Sequence, residues 1–116
     1  SVSPEREKAF DMVRQFYVLV DNHFKEKKMV QDYADMLHRS PKTLSNLFTT
    51  CGLPSPLRII HERIEAEAKR LLLYSQKSAK EITEILGFED QATFSRFFKK
   101  MTGESVSEYR KREKRE

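Results

Sequence analysis

Hydrophobic residues recur every three or four positions along most of the chain, which is the spacing of one face of an α-helix. The first such segment runs from about Pro4 to Phe24, and its inward positions are Ala9, Val13, Phe16, Tyr17, Val20 and Phe24. A second long segment ends near Tyr74, and its inward positions are Ile60, Ile64, Ala68 and Leu71, with Leu57 and Leu72 beside them. The pattern predicts two long amphipathic helices.

Capping signals divide the rest of the chain into shorter helices. Ser-Pro pairs begin at Ser3, Ser40 and Ser55, and a serine cap followed by proline is typical of a helix start. The other predicted caps are Ser78 with Glu81, Asp90, and Ser105, and Gly87 is predicted to end a helix in the left-handed conformation. The remaining inward positions are Tyr33, Ala34, Leu37, Leu44, Leu47, Phe48, Ile82, Ile85, Leu86, Phe94, Phe97, Phe98, Met101, Val106 and Tyr109. About seven helices are expected.

Composition supports an all-α fold and excludes several other classes. Three Gly and four Pro in 116 residues are too few for the turn that a β domain needs every ~8–12 residues. One cysteine, Cys51, excludes a disulfide framework and a Cys-based zinc site. No apolar run approaches the ~18 residues of a membrane helix, and the N-terminus has no signal-peptide block. We therefore expect a soluble, cytoplasmic chain, and the missing initiator Met predicts a fragment or a processed chain.

Charge is informative through its position more than through its total. The net charge is only +4, from 22 Lys+Arg and 18 Asp+Glu. Yet no acid occurs in the 26 residues from Met36 to His61, or in the 13 residues from Gln91 to Gly103. The bases in these two windows are Arg39, Lys42, Arg58, Arg96, Lys99 and Lys100. Surfaces that face phosphate would show this pattern, but chance and crowding by core residues would also produce it.

An internal repeat links the two windows. The pattern Leu44-Ser45-x-Leu47-Phe48 recurs 50 residues later as Phe94-Ser95-x-Phe97-Phe98, whereas the short helices that precede these segments match at an offset of 49. The difference predicts a turn that is one residue longer in the second copy. Each copy is a short helix, a turn and a second helix, which is a helix-turn-helix.

The repeat predicts an organisation in three parts. Residues 1–56 would hold the N-terminal helix and the first helix-turn-helix, 57–74 a linker helix, and 75–116 the second helix-turn-helix with a C-terminal helix. A linker of roughly 27 Å, together with the helix widths, would set the two second helices about one turn of DNA apart, ~34 Å. One chain could then occupy two successive major grooves.

The second copy resembles the DNA-binding domain of AraC/XylS-type transcriptional regulators, in the run AKEITEILGFEDQATFSRFFKKMTGESVSEYR from Ala79 to Arg110. The first copy is similar in SPKTLSNLF from Ser40 to Phe48. The resemblance implies a bacterial transcription factor, usually an activator that contacts RNA polymerase. This chain would be its C-terminal DNA-binding part, acting on the nucleoid, without the N-terminal sensing or dimerisation domain.

The resemblance also assigns roles to individual residues. The implied base-reading positions are Lys42, Thr43, Ser45 and Asn46 in the first copy, and Gln91, Ala92, Thr93, Ser95 and Arg96 in the second. Arginine can bond guanine through two hydrogen bonds, and Asn or Gln can bond adenine in the same way. The expected phosphate ligands are Ser40, Lys80, Lys99 and Lys100.

Other functions remain open at this point. A helical protein-interaction module would explain the helices but not the acid-free windows. A further alternative is a DNA-binding chain in which only the second copy reads bases. An enzyme would need paired carboxylates, a nucleophile with its base, or a Gly-rich phosphate loop, and none occurs. His23, His38 and His61 share no metal-binding spacing, so no metal or cofactor is expected. The phenylalanines of the second copy are expected in a core, Cys51 is expected to be structural, and the charged tail from Arg110 is expected to fray.

Overall fold

The computed structural model describes residues 3–114, and these contain α-helices with no β-strand. The helices are α1 Pro4–His23, α2 Val30–Met36, α3 Pro41–Thr50, α4 Pro56–Tyr74, α5 Ala79–Ile85, α6 Gln91–Thr102 and α7 Val106–Lys114. The prediction of an all-α chain with about seven helices is confirmed. The outermost positions of the predicted 1–56 and 75–116 segments, residues 1–2 and 115–116, lie outside the described residues.

The chain divides into two compact units within α4. Unit 1 ends at Arg63 and unit 2 begins at Ile64. The first part of α4 therefore belongs with α1–α3, and the remainder belongs with α5–α7. The separate 57–74 linker segment stays a prediction.

Unit 1 is organised around a cluster of buried aromatic rings. Phe16 of α1 is fully buried, and its ring centroid lies 5.5 Å from that of Tyr33 and 5.0 Å from that of Phe48, the latter in an edge-to-face arrangement. The Tyr33 hydroxyl donates a hydrogen bond of 2.7 Å to the Lys27 carbonyl, and burial raises the pKa of Tyr33 to about 12. These contacts join α1, α2 and α3 in one core.

Arg63 attaches the first part of α4 to α1. Its guanidinium Nε donates to an Asp21 carboxylate oxygen at 2.8 Å, and its carbon lies 4.2 Å from the centroid of the Phe24 ring. The guanidinium of Arg63 therefore makes an ion pair with Asp21 and a cation–π interaction with Phe24.

Unit 2 has a separate aromatic core. Phe98 of α6 is fully buried, and its ring centroid lies 6.1 Å from that of Phe94 and 5.4 Å from that of Tyr109 on α7. Phe88, in the turn before α6, covers the cluster, with its centroid 5.4 Å from those of Phe94 and Phe97. The core thus joins α6 to α7 and to the preceding turn.

The charged tail is ordered as far as Lys114, so the prediction that it frays is wrong over that part. Arg110 donates to the carbonyls of Leu72 at 3.1 Å and Ser75 at 3.2 Å, and Lys114 donates to the Ser75 carbonyl at 3.2 Å. Leu72 lies in the last turn of α4, where carbonyls have no partner within the helix, and Ser75 follows directly after it. The tail is therefore helical because its cations satisfy these carbonyls and interact favourably with the negative end of α4.

Several residues predicted to face inward lie at the edges of their helix faces. Tyr17 is 39% exposed and Leu57 43% exposed, so the predictions for these two are wrong. The Tyr17 ring stacks on that of Phe48, at a centroid distance of 6.5 Å, but the side chain stays partly exposed. A further group of predicted core residues is half-buried: Leu47, Ile85, Phe97 and Met101.

The two helix-turn-helix turns share one hydrogen-bond pattern. The Arg39 N–H donates to the Ala34 carbonyl at 2.9 Å, and the Phe88 N–H donates to the Thr83 carbonyl at 3.1 Å, so residue 88 corresponds to residue 39. Two residues separate the first helix end at Leu37 from the cap of α3, whereas three separate Leu86 from the cap of α6. The predicted extra residue in the second turn is confirmed.

A left-handed residue follows the first helix in both turns. It is Gly87 in unit 2, with φ 77°, and His38 in unit 1, with φ 55°. An L side chain in this conformation costs roughly 1–2 kcal/mol, because its Cβ lies too close to the backbone. Unit 1 therefore carries strain that unit 2 avoids.

Substitutions at Gly87 and His38 should have opposite effects on the free energy of unfolding. Gly87→Ala should lower the free energy of unfolding by about 1 kcal/mol, and His38→Gly should leave it unchanged or raise it by up to ~1 kcal/mol. Urea unfolding followed by far-UV circular dichroism measures both values. Destabilisation by His38→Gly as large as that of Gly87→Ala would show that the imidazole, not the backbone, determines stability in the first turn.

At the start of each of the helices α5, α6 and α7, a carboxylate accepts a hydrogen bond from a backbone N–H group. Glu81 accepts from Ser78 at 2.9 Å, Asp90 from Thr93 at 2.8 Å, and Glu108 from Ser105 at 2.8 Å. These bonds lower the pKa of each carboxyl below its ordinary value of 4.5 for Glu or 3.8 for Asp. Because the folded pKa is lowered, the stabilisation is present above the ordinary values and is lost as the pH falls through the folded pKa.

When the pH is lowered below about 4.5, the melting temperature should therefore decrease, in part because these capping carboxylates become protonated. The variant Glu81→Gln/Asp90→Asn/Glu108→Gln retains hydrogen-bond acceptors without the titratable charges. It should melt lower than the wild type at pH 7, and its melting temperature should fall less between pH 5 and pH 3. Parallel melting curves of the two proteins across this range would contradict the assignment.

Candidate nucleic-acid interface

α3 buries one face and presents a polar face to solvent. Leu44 and Phe48 are fully buried, and residues four apart lie on the same side of a helix. The predicted base-reading residues of unit 1 are all exposed: Lys42, Thr43, Ser45 and Asn46. The structure therefore places these four residues away from the core, as a DNA contact requires.

Ser40 determines where α3 begins. Its Oγ accepts a hydrogen bond of 3.1 Å from the Thr43 N–H and donates one of 2.9 Å to the Thr43 Oγ1, while Pro41 occupies the first helical position. This start needs no acid, so the N-terminal end of α3 retains its partial positive charge.

The exposed face of α3 continues with two threonines that the sequence patterns did not single out. The hydroxyl of Thr49 donates to the Ser45 carbonyl at 3.0 Å, and that of Thr50 donates to the Asn46 carbonyl at 2.9 Å. Both donors are therefore satisfied within the helix. The later turns of α3 are polar but uncharged.

α6 has the same organisation with more positive charge. Phe94 and Phe98 are fully buried, while Gln91, Ala92 and Arg96 are exposed. The other two predicted base-reading residues are half-buried: Thr93 and Ser95. Arg96 and the phosphate candidates Lys99 and Lys100 give this face three exposed cations.

Thr93 connects the cap of α6 with its principal base-reading candidate. Its N–H donates to Asp90, and its Oγ1 accepts a hydrogen bond of 3.4 Å from Arg96 Nη2. The Thr93 N–H is the main cause of the lowered Asp90 pKa, to which the positive charge of Arg96 adds. Asp90 is thus ionised at neutral pH at the start of the helix that carries Arg96.

Lys80 lies in a different charge environment from the other phosphate candidates. It lines a shallow surface depression with Gln91, between α5 and the start of α6. The same depression is lined by three acids: Glu84, Glu89 and Asp90. The structure thus brings Lys80 close to one predicted base-reading residue, but with less net positive charge than at Lys99 and Lys100.

The bases of the recognition faces form no salt bridge, unlike several arginines elsewhere in the described residues. Arginines on the scaffold pair with carboxylates, as in Arg70 with Glu67 at 2.7 Å. Within residues 3–114, no salt bridge forms on the second-helix cations, namely Lys42, Arg96, Lys99 and Lys100. Arg58 is the exception within the first window, since it pairs with Glu62 at 3.1 Å. Unpaired cations remain available for phosphate or base contacts.

Residues 3–114 contain no group of three or more His, Cys, Asp or Glu placed to hold a metal ion. None of the helices described above is long and apolar enough to cross a membrane. Cys51 is half-buried at the end of α3.

Comparison with known sequences identifies related proteins. The family described as "Helix-turn-helix domain" matches residues 33–112. The raffinose operon transcriptional regulatory protein RafR of Pediococcus pentosaceus is 34% identical over 82 residues, which are 71% of this chain and 30% of RafR. The arabinose operon regulatory protein of Salmonella typhimurium is 36% identical over 92 residues, which are 79% of this chain and 31% of that protein. The chain therefore spans about a third of the length of these relatives.

A solved structure has a similar fold. The C-terminal domain of AraT, a response regulator from Geobacillus stearothermophilus, matches with a TM-score of 0.77 and 29% sequence identity. The match covers 86% of this chain and 84% of that domain. Almost all of the fold is thus shared with a separately solved C-terminal domain.

Proposed function

The chain belongs to the AraC family of helix-turn-helix DNA-binding domains of transcriptional regulators, and we propose that α3 and α6 are recognition helices that read successive major grooves of one DNA site. The observation that carries this proposal is the charge of the two helices. Each buries one face in its own unit and exposes an acid-free face whose cations form no salt bridge among the described residues. A phosphate-lined groove is the complement of such a face.

Side-chain chemistry assigns different tasks to the exposed residues of α6. Arg96 can donate two hydrogen bonds to guanine, and Gln91 can pair with adenine. Thr93 offers a hydroxyl and a methyl group, whereas Ala92 can only contact a thymine methyl. In α3, Asn46 is the counterpart of Arg96 and has the chemistry to recognise adenine. The other proposed base contacts in α3 are Lys42, Thr43 and Ser45.

Phosphate contacts would orient these helices without reading sequence. Lys99 and Lys100 supply point charges beside the recognition face of α6, and Lys80 supplies one from α5. In unit 1, Ser40 and the positive end of the α3 dipole can attract an anion. This division predicts that the lysines contribute to affinity for any duplex, and that the residues of the previous paragraph contribute to discrimination.

A narrower role, in which only unit 2 reads bases, is supported by one observation. α3 carries a single cation, Lys42, whereas α6 carries three. The case for two readers is the shared arrangement of buried and exposed positions. A helical protein-interaction module would not require acid-free recognition faces, which favours DNA.

Properties of the whole regulator extend the proposal. We propose a bacterial activator that contacts RNA polymerase, acts in the cytoplasm on the nucleoid and uses an additional sensing or dimerisation domain. The support is the resemblance to regulators of which this chain matches only about a third, 30% of RafR and 31% of the arabinose operon regulatory protein. The relatives are transcription regulators, and we propose that this domain is not itself an enzyme.

Replacing Arg96 with alanine tests base reading by α6. Arg96→Ala should weaken binding to a selected duplex by ~1–3 kcal/mol and relax the preference at one base pair, because a two-bond contact to a base is lost. Binding is measured by fluorescence anisotropy on the selected duplex, on its single-base variants and on random duplex. Lys99→Ala is the comparison, since a phosphate ligand should weaken binding to all these duplexes similarly. The same uniform loss for Arg96→Ala would show that Arg96 also contacts phosphate.

Shortening the DNA tests whether both units participate. A duplex truncated to one half of the selected site should bind much more weakly than the full site. If the retained half is the one read by unit 2, Asn46→Ala should no longer affect binding to it. Equal affinity for the half-length and full-length duplexes would support the alternative in which unit 2 alone reads bases.

A further inference from the structure

The turn of unit 1 contains an arginine at a position where unit 2 has a core residue. Arg39 and Phe88 correspond because each follows the left-handed residue of its turn and donates its N–H to the carbonyl five residues earlier. Phe88 is half-buried against Phe94 and Phe97. This position of the fold can therefore contribute an aromatic side chain to the core, and unit 1 does not use it in this way.

Arg39 is instead exposed and positively charged. Its Nη1 donates to the carbonyl of the neighbouring His38 at 3.0 Å, and no salt bridge involves it among the described residues. It lies within the 26-residue window that contains no acid, immediately before the cap of α3. Its charge is thus neither buried nor neutralised by the fold.

The two units carry their positive charge at opposite ends of the recognition helix. The three cations of α6 correspond, 50 residues earlier, to uncharged residues of α3: Asn46, Thr49 and Thr50. The two threonines also direct their hydroxyls to carbonyls of their own helix. The exposed cations of the first window that have no salt bridge, Arg39 and Lys42, are at the start of α3.

We propose that Arg39 is a DNA-phosphate ligand, so that unit 1 holds the backbone at the N-terminal end of α3 whereas unit 2 holds it along the later turns of α6. The inference rests on the DNA binding proposed above. The N-terminal end of α3 attracts anions through the positive end of its helix dipole. A guanidinium beside that end adds a full charge and can bind a phosphate through two hydrogen bonds. No carboxylate in the window competes for it.

The experiment compares the salt dependence of binding for charge-matched variants of the whole chain. The probe is a duplex of roughly 25 base pairs, enriched by selection with this protein. Arg39→Met should weaken binding at low salt. Its affinity should fall roughly three- to fourfold less than that of the wild type between 50 and 200 mM salt, because one phosphate contact contributes about 0.9 to the slope. Arg39→Lys retains the charge and should retain most of the slope.

Arg14→Met is the matched control, because Arg14 belongs to the same unit but pairs with Asp11 on α1. It should have the wild-type salt dependence. A slope for Arg39→Met equal to those of the wild type and Arg14→Met would overturn the role of Arg39 while leaving DNA binding intact. A wild-type chain that fails to enrich or bind any duplex would instead overturn the proposed function.

Folding is checked by melting each variant. Because unit 2 has an apolar residue at this position, Arg39→Met should melt at or above the wild-type temperature. If it melts lower, Arg39→Gln removes the charge while keeping a polar side chain, and the same slope comparison decides the outcome.

Discussion

The burial of one face of each recognition helix is the constraint on which the rest of the structure depends. Phe48 and Phe98 are fully buried on α3 and α6, each with a second buried residue four positions earlier. A helix fixed on that side can present only its opposite side to a partner. The same packing that stabilises each unit therefore also sets which side chains are available to DNA.

In unit 1, the residues that cap the helices near the recognition face carry no negative charge that would repel DNA. Within the first acid-free window, α3 and α4 begin at Ser40 and Ser55, whose hydroxyls accept backbone N–H bonds without a negative charge. Unit 2 uses carboxylates for its caps, including Asp90 at the start of α6. Its recognition helix compensates with three cations on the following turns. The two units thus offer different electrostatic surfaces on the same local fold.

Much of the secondary structure could be predicted because its signals are local. Ser-Pro pairs, capping boxes and the repeat determine helix starts within one or two residues, and they also predicted the longer second turn. Long-range contacts could not be predicted in this way. The helical tail depends on Arg110 and Lys114 meeting the carbonyls of Leu72 and Ser75, more than 30 residues away. The exposure of Tyr17 depends on how α1 meets Phe48, and periodicity alone does not fix the edge of a buried face.

From the sequence, the candidate site could be predicted as a set of residues that face away from the core. The contacts that these residues make with DNA are a property of the complex and could not be predicted from the chain alone. Hydroxyl-radical footprinting of the chain on a selected duplex tests the central claim most directly. Two recognition helices in successive major grooves predict protection of two backbone patches about one helical turn, ~10.5 base pairs, apart on one face of the duplex. A single protected patch, or uniform protection without a preferred site, would contradict the account.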